Sequence, residues 1–171
     1  SQAIMDDVIY VADAGNRRVL RYDLSGKLLG EFEGKAESAA GHGFIVPSPN
    51  FDLITNAYGE LWVVNPGKHA LENYTNEGVM RGFWEANTMD VDGFAGCCNP
   101  AEIAVFEDGS FVTSEKGLVR IKVHDQSGKL VSVVAAPDKF EKEGKAPEVA
   151  VDGKGNVYAL DFDRKMVRVF E

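Results

Sequence analysis

Residues 121–128 read IKVHDQSG, and the pattern stands twice earlier, as VLRYDLSG at 19–26 and LENYTNEG at 71–78. Each copy alternates apolar and polar residues and then turns through a polar segment closed by glycine, as a strand entering a hairpin does. A fourth copy, VRVFE at 167–171, matches until the sequence stops. Six residues ahead of each copy stand Asp13, Asn65, Glu115 and Asp161, at spacings of 52, 50 and 46.

Working outward from Glu115, the third repeat divides into four strands: 101–107 (AEIAVFE), 110–115 (SFVTSE), 119–125 (VRIKVHD) and 129–135 (KLVSVVA). Gly109 and Gly128 provide the permissive backbone of its two hairpin turns. The fourth repeat follows the same plan, with 147–152 (PEVAVD) and 157–161 (VYALD) joined through Lys154-Gly155. No segment holds a helical period over three turns. Four short strands per repeat, with a period near 45–50 residues, predict an all-β propeller with blades at about 1–34, 47–85, 100–136 and 146–171. The strands of a β-sandwich, the rival architecture, have no reason to recur in fours with aligned turns.

Residues 9–34, IYVADAGNRRVLRYDLSGKLLGEFEG, resemble an NHL repeat: a strand ending Val-Ala-Asp, then Gly-Asn-x-Arg, then a second strand and a Gly-Lys hairpin. Residues 148–171 match moderately. The second and third repeats match weakly, with Asn65 and Glu115 where the family has Asp. The resemblance implies a six-bladed ring of which these are four blades, in the C-terminal part of a longer protein; a closed four-bladed ring and completion of the ring by a second chain are the alternatives. It also implies an exported, extracytoplasmic protein. The last blade reaches only its third strand, so its outer edge invites cover by self-association.

Composition narrows function more weakly. Acids outnumber bases, 27 to 18, for a net charge of −9. That balance disfavours nucleic acid, whose binders carry a basic footprint. No apolar run approaches the roughly 20 residues of a membrane span. The two cysteines are adjacent and cannot staple distant parts of the fold.

In an up-and-down blade the b–c turns and the blade-to-blade links lie on one rim. That rim collects the unusual residues: Arg18, His42, His69, Glu72, Cys97, Cys98, Glu115 and Lys116. All eight are candidates for ligand contact, because loops on a rigid scaffold are where binding resides. Cys97-Cys98 reads as a vicinal disulfide, as a soft-metal ligand pair, or as two small buried residues. His42, His69, Cys97 and Cys98 are the candidate set for a metal ion. The series Asp13, Asn65, Glu115 and Asp161 reads best as turn acceptors, since turn-building recurs in every blade and catalysis does not. His124 aligns with Tyr22, Tyr74 and Phe170, a packing position between blades.

The leading expectation is a non-enzymatic scaffold whose rim binds a protein, a peptide or a small molecule. Its competitor is a metal-dependent lyase- or lactonase-like propeller enzyme with a site on the same rim. No nucleophile elbow, phosphate loop, dinucleotide fingerprint or zinc-protease motif is present.

Overall fold

The computed structural model describes residues 1–34 and 43–171. It contains fifteen strands in four antiparallel sheets, each ordered as in the sequence. The first sheet is β1 (Gln2–Met5), β2 (Val8–Asp13), β3 (Arg18–Asp23) and β4 (Leu28–Phe32). The second is β5 (Leu53–Thr55), β6 (Leu61–Asn65), β7 (Ala70–Tyr74) and β8 (Met80–Glu85). The third is β9 (Glu102–Val105), β10 (Phe111–Glu115), β11 (Arg120–His124) and β12 (Leu130–Ala135). The fourth has three strands, β13 (Glu148–Val151), β14 (Val157–Asp161) and β15 (Met166–Phe170). The first strands of successive sheets touch, β1 on β5, β5 on β9 and β9 on β13, so they line a common axis. The chain is therefore a β-propeller of four blades, the last without an outer strand among the described residues.

Side chains on a strand alternate between faces, and here both faces of the middle blades are buried. In β6, Leu61 and Val63 face the first blade while Val64 faces the third. In β10, Phe111 faces the second blade and Val112 the fourth. The hydrophobic core is thus three separate seams between blades. All of β7 and β10 is buried, as such a position demands.

A repeated aromatic group closes the first two seams. Phe32, Phe44 and Tyr74 pack with centroids 5.0–6.0 Å apart at the first. Trp84, Phe94 and His124 do so at 5.1–5.9 Å at the second. In each group the first ring comes from an outer strand and the second from a link. The third ends strand c of the next blade. Phe140 and Phe170 continue the series at the third seam, with the Arg168 guanidinium over both rings, 4.9 and 5.0 Å from their centroids. The hairpin glycine after strand c packs against the same outer-strand ring. A methyl carbon on Gly78 would lie 2.4 Å from Phe32, and one on Gly128 2.4 Å from Trp84.

The links are pinned on either side of their phenylalanines. The carbonyl preceding each one is taken by the following blade: Gly43 O by Asn65 Nδ2 at 3.1 Å, Gly93 O by Arg120 Nη2 at 2.9 Å and Lys122 Nζ at 2.6 Å, and Lys139 O by Arg168 Nη1 at 2.8 Å. The amide following it donates back to the corner residue, Ile45 N to Asn65 Oδ1 and Ala95 N to Glu115 Oε2, both at 2.9 Å. The corner series therefore works in two ways. Asp13 and Asp161 accept from their own turns, Asn16 N at 3.1 Å and Arg164 N at 3.0 Å, whereas Asn65 and Glu115 anchor the incoming link.

Candidate functional site

Pinning the links shapes the rim. In the second link, Asn99 acts as a clamp. Its Nδ2 donates to Ala95 O at 2.6 Å and to Lys116 O at 3.2 Å, while its Oδ1 accepts from Lys116 N at 2.9 Å. His69, in the left-handed region at φ 56°, donates from Nδ1 to Asn99 O at 3.0 Å. The 95–99 turn is thus held from both flanking blades. Cys98 takes φ 72° and is buried, and Cys97 is exposed; both are free thiols. Burial, reinforced by Cys97, raises the Cys98 thiol and keeps it protonated.

This turn forms one wall of a cavity of about 850 Å³ on the rim. Met89, Cys97 and Asn99 come from the second link, Lys116 and Leu118 from the β10–β11 turn, Lys145 from the third link, Phe162 from the β14–β15 turn and Asn50 from the stretch before β5. Toward the axis the lining ends at Glu102 and Glu148, the first residues of β9 and β13. Pro49, Asn50, Glu102 and Glu148 also line an adjoining cavity of about 510 Å³ that runs past Asp52.

Asp52, Glu102 and Glu148 stand 13 residues ahead of Asn65, Glu115 and Asp161, so three successive blades place a carboxylate at one repeat position. Their environments differ. Asp52 is buried and joins two blades, accepting from Leu53 N and Ile103 N, both at 2.8 Å. Burial still raises its carboxyl above the usual range. Glu102 accepts one hydrogen bond, from Asn50 Nδ2 at 3.0 Å. Burial first, then the like charges of Asp52 and Glu148, push its carboxyl up to about 7.

Of the residues singled out by sequence, Cys97 and Lys116 line this cavity, with Cys98 beneath the turn and His69 behind it. Three others lie elsewhere. Arg18 pairs with Asp13 at 3.2 Å and Glu31 at 2.8 Å in the corner of the first blade. Glu72 is buried, accepting from Tyr74 Oη at 2.5 Å and Asn65 Nδ2 at 2.9 Å. Glu115 is fully buried against Arg120 at 2.8 Å and Lys122 at 2.9 Å. His42 lies outside the described residues. Among the described residues no group of three or more His, Cys, Asp or Glu side chains is placed to hold a metal ion. Nor is any helix there long and apolar enough to cross a membrane.

Asn50, Glu102, Glu148, Lys145 and Leu118 were not apparent from motifs. The constant 13-residue offset of the axial acids was the available signal.

No family model matches the chain, and no curated protein matches it in sequence. Solved structures do match in fold. A streptogramin B lyase structure superposes with TM-score 0.63 at 15% identity, over 99% of this chain and 53% of that one. The fold is shared with many propellers. A protein of unknown function from Bacteroides thetaiotaomicron gives 0.65 at 18% identity, over 99% and 46% of the two chains. The WD40 propeller domain of Doa1 gives 0.64 at 14%, over 97% and 47%. The chain thus spans about half the length of these structures. At such identities the likeness establishes the propeller alone, because one fold carries unrelated activities.

Proposed function

We propose that this chain is a binding module of NHL type that engages its ligand at the rim formed by the b–c turns and the links. The NHL type rests on the repeat at residues 9–34. One observation carries the binding reading: side chains from five rim segments converge on a cavity of about 850 Å³. That size is typical of small-molecule sites, as is an apolar lining with a few polar groups. The opposite rim offers short glycine hairpins. Lyase activity is a property of the streptogramin-cleaving neighbours and is not carried over.

A fragment screen followed by amide NMR of the labelled protein tests this. Binders are expected to shift Cys97, Lys116, Lys145 and their neighbours, and Cys97→Trp, which fills the cavity mouth, is expected to abolish those shifts. Binders that all map to the opposite rim, or that are indifferent to Cys97→Trp, would overturn the assignment.

A further inference from the structure

The rim cavity holds charges of both signs that do not neutralise one another. Lys116 and Lys145 line it without forming an ion pair among the described residues, and so do Glu102 and Glu148. Glu102 and Glu148 sit at the axial ends of β9 and β13, whereas the lysines sit in the β10–β11 turn and the third link, the latter also carrying the cavity's third acid, Glu143. The same lining includes exposed apolar side chains: Met89 is 74% exposed, Leu118 47% and Phe162 40%. Elsewhere in the same blades buried charges are paired tightly, as Glu115 is with Arg120 and Lys122.

Resting on the rim-cavity reading, we propose that the ligand is a zwitterion, with an ammonium group at one end, a carboxylate at the other and an apolar body between. The ammonium seats against Glu102 and Glu148, where Asn50 already orients one oxygen of Glu102. The carboxylate meets Lys116 and Lys145, and the body covers Met89, Leu118 and Phe162. A dicarboxylate would bring like charge to the axial acids, and a diamine would do the same at the lysines. A neutral apolar ligand would leave both ends unmatched. Glu102, which burial first pushes up to about 7, is partly protonated near neutral pH, and seating an ammonium there releases a proton.

Two sources present this chemistry, a free ω-amino acid and a short apolar peptide. Calorimetric and NMR titrations at neutral pH would use 8-aminooctanoate and trileucine as probes, with octylamine and octanoate as single-charge controls. At least one zwitterion is expected to bind about tenfold or more tightly than either control, the effect of one charge-assisted hydrogen bond. The tighter of the two identifies the source. Glu102→Gln, or Glu148→Gln at its exposed neighbour, is expected to weaken the zwitterion and octylamine but not octanoate. Lys116→Ala is expected to weaken the zwitterion and octanoate but not octylamine. Controls that match the zwitterions while still shifting cavity resonances would overturn the ligand class and leave the site standing. Failure of every probe to shift those resonances, together with a barren fragment screen, would remove both.

Discussion

His124 ends strand c of the third blade, where the second blade has Tyr74 and the fourth Phe170. Trp84 and Phe94 enclose its ring, Nδ1 donates to Gly128 O at 3.1 Å, and Nε2 has no partner among the described residues. Burial holds its pKa down to about 4, well below the usual 6.5. The unfolded chain therefore takes up this proton first as pH falls. The folded state keeps the full benefit of a neutral ring above about pH 6.5 and loses it as pH drops toward 4, by up to about 3 kcal/mol. His124→Phe keeps the ring stack and removes the proton site. Urea unfolding at pH 7 and pH 5 is expected to show a smaller fall in stability for this variant than for the parent protein. Glu115 behaves differently: it is the anion for two buried cations. Glu115→Ala leaves Arg120 and Lys122 without it, and urea titration is expected to show a loss of about 3–5 kcal/mol. A ligand-contacting role would predict altered binding with little change in stability.

Gly128 and Gly155 separate two demands on a hairpin. Both turn with φ near +90°, at 86° and 89°, but Gly128 abuts Trp84 of the neighbouring blade while Gly155 faces open space. Alanine at 155 is expected to cost only the backbone penalty of about 1–2 kcal/mol. Alanine at 128 should cost distinctly more, because Trp84 must shift. Thermal melts of the two variants side by side measure the difference. The fold was legible because such turns recur with the strands they join: the 121–128 copy and its corner acid locate a blade with no knowledge of its neighbours. The seams were only half legible. His124 could be read as a packing residue from its alignment with Tyr74 and Phe170. Its partners Phe94 and Trp84 come from a link and from another blade. The link phenylalanines Phe44, Phe94 and Phe140 keep a constant 30-residue interval to Tyr74, His124 and Phe170, but irregular flanking sequence hides it. Topology led to Cys97 and Lys116, which line the rim cavity. Chemistry by residue type then misled: Glu72 and Glu115 are consumed by corner and link packing, and Glu102 and Glu148 look like ordinary strand starts until three blades are set around an axis.

Across the whole molecule the axial acids add to a net charge of −9. Glu102 carries the clearest signature. With its folded pKa raised to about 7, the unfolded chain gives up this proton first as pH rises from about 4.5. The contribution to stability is complete below that range and lost as pH climbs through 7, by up to about 3 kcal/mol. Glu102→Gln is expected to be more stable than the parent at pH 8 and close to it at pH 4, as read from unfolding midpoints. The seams themselves are of one kind, each built from blade faces and a link phenylalanine, so nearest-neighbour blade contacts dominate as in other repeat architectures. The two tryptophans are not shared out among these seams. Trp62 stacks edge-on to Phe111 at 4.9 Å and Trp84 lies against Phe94 and His124, so both chromophores sit between the second and third blades. Intrinsic emission is accordingly a local gauge of that one junction, while circular dichroism averages over every sheet. Superimposable melting curves from the two signals would mean that all four blades part together.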